Sequence, residues 1–232
     1  MPKLTRRNTS RKPTAAQALA TIATLLALTF TAGPVAANPP PGFLRLSEVA
    51  PGVVQDIRYA SVDNFTGAPV PGYAKPECWI KTQAAYALAA AERDAERSNM
   101  RLVVWDCYRP KRAVSAFVAW TATTDETTKP KHYPNVAKSA LLGEGYIARA
   151  SAHSTGLAVD LGVVGWNFGT PFDYFDPKSM TQAIPNGVAA EHRVILVDLM
   201  KRHGFSNYPR EWWHFSFGGA TNAPRLDAEI NN

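Results

Sequence analysis

Cysteine and histidine are both scarce in this 232-residue chain, at two and five copies. Two cysteines, Cys78 and Cys107, are too few for a disulfide scaffold and leave room for a single bridge. The H-E-x-x-H helix of the commonest zinc proteases is missing, as are internal repeats and long low-complexity tracts. Acidic residues are absent until Glu48. With 46% hydrophobic and 19% charged residues the balance is that of a globular protein, which excludes a wholly disordered chain, a collagen-like repeat and a multi-span membrane protein.

The net charge of +6 suggests a nucleic-acid partner until it is located. Lys3, Arg6, Arg7, Arg11 and Lys12 lie in the first twelve residues, and beyond residue 37 basic and acidic residues number 20 and 19. The folded part is therefore nearly neutral, and no nucleic-acid partner is expected. The basic start, the apolar run Ala18–Phe30 and the small residues Val35-Ala36-Ala37 read as a secretory signal over residues 1–37. That apolar run is shorter than the ~20 residues needed to span a bilayer, so cleavage is favoured over an uncleaved anchor. An exported protein, periplasmic or secreted and free of the membrane after cleavage, is the expectation. A proline-rich leader over residues 38–52 and one domain over residues 53–232 would follow.

The domain reads as α+β. Helices are expected over Thr82–Arg97, Arg112–Thr121 and Ala189–His203, the last stopped by Gly204. Leu102–Trp105 is a short strand candidate. Leu157–Val163 alternates, with Leu157, Val159, Leu161 and Val163 on one face and Ala158, Asp160 and Gly162 on the other. A second alternation sets Trp213, Phe215 and Phe217 against His214 and Ser216. The elements interleave without a steady βαβ beat, which implies a single domain around a mainly antiparallel sheet flanked by helices.

His192 and His203 flank the last helix and suit surface or capping roles, and His132, in a Lys-Pro-Lys-His-Tyr-Pro loop, is expected to be solvated. His153 and His214 each have a carboxylate close in sequence and a strand nearby, Asp160 and Glu211 respectively. Two histidines and a carboxylate can hold a catalytic zinc whose fourth position takes water, with a separate carboxylate to accept that water's proton. For this, Gly156 must turn His153 back toward Asp160, and Glu211 must sit on a bend after Pro209 with His214 already on the strand. Spacing alone leaves open that these are unrelated polar residues at strand ends.

The run Ser151-Ala152-His153-Ser154-Thr155-Gly156-Leu157-Ala158-Val159-Asp160 resembles the S-x-H-x-x-G-x-A-x-D motif of zinc D,D-peptidases, and Glu211-Trp212-Trp213-His214 resembles their E-x-W-H motif. Three further segments narrow the likeness to the D-alanyl-D-alanine dipeptidases, the group that includes vancomycin-resistance enzymes. They are Arg58-Tyr59-Ala60 with Asp63-Asn64-Phe65-Thr66-Gly67, the run Trp105 to Val114, and Phe172-Asp173-Tyr174-Phe175-Asp176. The resemblance implies one zinc per chain on His153, Asp160 and His214, with Glu211 as base for a metal-bound water. It implies Arg109 on the oxyanion, and Asp173, helped by Tyr59 and Ser151, on the ammonium of a D-Ala-D-Ala substrate. A salt bridge from Arg109 to Asp106 is a second role for that arginine, compatible with the first. The sequon-like Asn64-Phe65-Thr66 lies inside a family segment and reads as structural.

Two features depart from the family pattern. Cys107 stands where these enzymes usually carry a small residue such as glycine, and the export signal is unlike the cytoplasmic resistance enzymes. Export favours turnover of cell-wall peptides outside the cytoplasm, and an oxidising destination predicts a Cys78–Cys107 disulfide. Alternatives with the same constellation are a peptidoglycan D,D-carboxypeptidase or endopeptidase, and a non-catalytic zinc-bearing binding domain. The presence of Glu211 and Arg109 speaks against the last.

Overall fold

The computed structural model describes residues 1–3, 38–220 and 222–231, so the expected signal segment lies almost wholly outside the described residues. A five-stranded sheet runs in the order β2 (Val54–Gln55), β4 (Leu102–Asp106), β5 (Ala158–Val163), β7 (His214–Phe217), β6 (Phe205–Asn207). The β2–β4 pair is parallel and the other three pairs are antiparallel. A separate two-stranded sheet joins β1 (Phe43–Arg45) to β3 (Trp79–Lys81).

The α-helices are α1 (Leu46–Val49), α2 (Thr82–Arg97), α3 (Lys111–Trp120), the single turn α4 (Lys129–His132) and α5 (Val188–Arg202), with α1 and α2 packed by the β1–β3 pair and α5 against β6. The alanine spacing of α2 buries Ala84, Ala85, Leu88, Ala89, Ala91 and Ala95 along one stripe. α5 buries Leu196, Leu199 and Met200 together with Arg193, and Gly204 at φ +83° closes it. The three long helices and the three expected strands, β4, β5 and β7, thus lie within a residue or two of their sequence-predicted limits, whereas β1, β2, β3 and β6 were not expected. Among the described residues no helix is long and apolar enough to cross a membrane.

The expected proline-rich leader is not a leader over its whole length. Phe43 and Leu46 are buried in the same core as the rest of the domain, and the Leu46 amide donates to the Cys78 carbonyl at 2.9 Å. Three strand residues and one helical turn are too short to show a periodicity, which is why the pattern missed them.

Two details of the sheet place the site. Asp160 and His214 are direct cross-strand partners, so their side chains share a face. On the other side of β5, Val104 faces Leu161 while Asp106 faces Asp160, so Trp105 is an extra residue on β4. This bulge turns Asp106 onto the face that carries Asp160, where regular pairing would have aimed it away.

Candidate active site

His153 reaches the same face from a turn. Residues Ala152–Thr155 form a 3₁₀ turn whose first amides are capped by Ser151, with Ser151 Oγ accepting from the His153 amide at 3.2 Å. Gly156 ends the turn at φ +75°, and a Cβ there would lie 2.1 Å from the Phe43 ring, so both the handedness and the close approach require glycine. The chain then enters β5 directly.

His153 Nδ1 lies 2.7 Å from the Cys107 carbonyl, which can only accept, so Nδ1 carries the proton and Nε2 presents its lone pair to the site. That Nε2 is 3.0 Å from His214 Nδ1 and 3.2 Å from Asp160 Oδ1, and His214 Nδ1 is 3.0 Å from the same oxygen. Three donor atoms thus form a near-equilateral triangle. Tetrahedral zinc with bonds of about 2.0–2.1 Å spaces its ligands about 3.3 Å apart, so the triangle fits that ion with a few tenths of an ångström of expansion. The orienting carbonyl on His153, and Ser216 Oγ at 3.3 Å from His214 Nε2, are the outer hydrogen bonds that metal-ligating histidines carry.

Glu211 occupies the bend after Pro209, its amide donating to the Tyr208 carbonyl, and its Oε2 is 4.0 Å from His214 Nδ1. Arg109 donates from Nε to Asp106 Oδ2 at 2.8 Å, with Nη2 at 3.5 Å from Asp160 Oδ2. Its guanidinium sits 5.1 Å from the ring centres of both Tyr59 and Phe117. Tyr59 Oη donates to Asp173 Oδ2 at 2.9 Å. Tyr59, Arg109, Ser151, Asp173, Glu211 and the three metal-binding candidates all line one cavity of about 440 Å³.

A family model described as D-ala-D-ala dipeptidase, Peptidase_M15, matches residues 40–231. The chain belongs to this family. A D-alanyl-D-alanine dipeptidase of Enterococcus faecalis is 40% identical over 182 residues, covering 75% of this chain and 90% of that protein. One from Streptomyces coelicolor is 36% identical over 183 residues with the same coverage. A solved vancomycin-resistance D,D-pentapeptidase in complex with Zn(II) aligns at 20% identity and a TM-score of 0.41, over 62% of this chain and 75% of that one. Membership of the dipeptidase family makes the protein a metallopeptidase, and its metal-binding candidates are the one such cluster among the described residues.

The electrostatics of this dipeptidase-family site follow from burial. Burial pushes the Glu211 carboxyl up to about 7, with His214 pulling the other way. Burial, reinforced by the charge of Asp160, holds Asp173 well above the usual carboxylate range. Asp160 goes the opposite direction because His153 and His214 outweigh its burial. The Tyr59 phenol is raised, by burial first and Asp173 second, and so stays a neutral donor. Among the described residues no ion pair reaches Asp173, although it is only 4% exposed.

The expected catalytic, metal-binding and substrate-binding residues therefore meet in one cavity, and the Arg109–Asp106 pair coexists with Arg109's position there. Cys78 and Cys107 form a disulfide, and Asn64 holds its own loop, donating to the Ser61 and Ala68 carbonyls. His132 corrects the expectation of a solvated loop. It is 3% exposed, with Nδ1 3.0 Å from the Asp173 carbonyl. Sequence reasoning also missed Tyr73, whose hydroxyl donates to Asp106 Oδ1 at 2.6 Å, a contact across 33 residues that no local pattern signals.

Proposed function

We propose that this protein is a zinc-dependent dipeptidase that hydrolyses D-Ala-D-Ala to two D-alanines outside the cytoplasm. The observation that carries the substrate assignment is Asp173. A buried carboxylate that lacks a cation is costly, and one lining the cavity of the metal-binding triangle is complementary to the free ammonium of a dipeptide. A peptidoglycan carboxypeptidase acts on an acylated amine and has no use for that acid. The relatives' names support the same substrate.

His153, Asp160 and His214 would hold the zinc, which when bound supplies a Lewis acid that acidifies water and polarises a carbonyl oxygen. Glu211 takes the proton of the attacking water and returns it to the departing amine, a task suited to a carboxyl raised toward neutrality. Arg109, fixed by Asp106, offers its remaining N–H groups to the oxygen on which negative charge develops. Asp173 and the Tyr59 hydroxyl anchor the ammonium, with Ser151 lining the same cavity. The disulfide and the signal-like start support an oxidising destination.

The test is turnover of D-Ala-D-Ala, L-Ala-L-Ala and an N-acylated D-Ala-D-Ala by the purified zinc-loaded protein. Free D-Ala-D-Ala should be cleaved and the acylated form should lose most activity. Equal rates on both would transfer the assignment to a carboxypeptidase.

A further inference from the structure

Asp173 is one of two residues other than glycine with a left-handed backbone among the described residues, at φ +56°; the other is Asn99, just past the end of α2. A side chain in that region costs on the order of 1 kcal/mol and persists only where the surroundings over-determine it. Two residues hold the backbone of this turn: Ser179, whose hydroxyl donates to the Tyr174 carbonyl at 2.5 Å, and His132, which bonds it twice. The His132 ring donates from Nδ1 to the Asp173 carbonyl at 3.0 Å, and the His132 carbonyl accepts from the Phe175 amide at 2.6 Å. These two bonds bracket the turn Asp173–Phe175 from both sides. His132 is itself buried at the end of α4, its amide donating to the Thr128 carbonyl at 3.0 Å, while the neighbouring Lys131 pairs with Asp63 and Asp63 with Arg58. Arg58 precedes Tyr59, the residue that binds the Asp173 carboxylate. Backbone and side chain of Asp173 are thus held from one connected patch of structure.

We propose that His132 is a positioning residue that sets the enzyme's preference for a free N-terminal amine, by locking Asp173 in the conformation that aims its carboxylate into the cavity. The inference rests on the ammonium-binding role of Asp173 proposed above. His132 touches neither substrate nor metal on this account; it acts only through Asp173. Removing the imidazole donor frees the turn to relax out of the left-handed region, and the carboxylate then leaves its place opposite the ammonium.

The experiment compares kcat/KM for free and N-acetylated D-Ala-D-Ala in zinc-loaded wild type, Asp173→Asn, His132→Leu, His132→Asn and His132→Gln, with zinc content measured for each. The ratio of the two substrates is the readout, since a general loss of folding lowers both together. His132→Leu should raise KM for the free dipeptide about tenfold or more and shrink the ratio correspondingly, with kcat less affected and zinc retained. His132→Asn, whose side-chain amide can stand near the Nδ1 position, should recover most of the ratio, and His132→Gln, with its amide one carbon further out, should not. Should the leucine variant fail to fold, the Asn and Gln pair decides alone. A wild-type ratio in His132→Leu or His132→Gln, with Asp173→Asn impaired, overturns the role of His132 and leaves that of Asp173 standing. A wild-type ratio in Asp173→Asn overturns both.

Discussion

Glu211 is shielded enough to hold its proton to about pH 7, with its side chain 19% exposed. The carboxyl is protonated in folded and unfolded chains alike below its ordinary value near 4.5. As pH rises from there to 7, only the unfolded chain gives up its proton, so stability falls through this window and stays lowered above it. In zinc-free protein, Glu211→Gln should therefore be more stable than wild type at pH 8, by on the order of 2 kcal/mol, and equal to it at pH 4. Urea titrations at both pH values check this; a gain that is the same at both would remove the titration as its cause. With zinc present the same substitution separates holding the metal from using it. Zinc content should stay near wild type, because three ligands remain, while turnover falls by ~10²–10⁴-fold. His214→Ala should lose zinc and activity together, and Arg109→Ala should keep zinc and lose about 3–4 kcal/mol of transition-state stabilisation. Loss of zinc from Glu211→Gln would make the carboxylate a ligand and leave the water without a base.

The elements show where sequence patterns suffice and where they stop. β5 and α2 carry their own periodicities, so Asp160 on its strand and the alanine stripe of α2 were legible. The turn that swings His153 back was legible from Gly156, whose left-handed φ only glycine adopts freely. The bulge at Trp105 was not, because nothing local distinguishes Val103-Val104-Trp105-Asp106 from a regular strand. Its consequence, Asp106 beneath both Arg109 and His153, was visible only as an i,i+3 pair. His132 was misjudged for a related reason: charged and proline neighbours imply solvent, while burial came from Asp173, 41 residues away. The disulfide ties the residue just before β3 to the residue just after β4, and the latter's carbonyl orients His153. Replacing both cysteines with serine should lower unfolding free energy by roughly 3–4 kcal/mol for a loop of this length, and weaken zinc binding by about tenfold or more. Denaturant titration and competition with a chromophoric chelator measure the two effects. An unchanged chelator competition would show that the Cys107 carbonyl keeps its place without the bridge.

At the scale of the molecule, the active site has an unusually distant brace. Residues 223–230 run back across the domain: the Leu226 amide donates to the Ser154 carbonyl, and the Lys111 amide donates to that of Leu226. The Tyr108 hydroxyl accepts from the Ala228 amide at 2.8 Å, and Ile230 is fully buried, its amide donating to the Gly72 carbonyl at 2.9 Å. These contacts prop the two segments that carry Arg109 and His153, and the Tyr108–Ala228 pair spans 120 residues. Removing Leu226 to Ile230 would leave every reacting side chain named above in the chain and take away the support beneath two of them. The site is thus anchored on a segment that carries none of its chemistry.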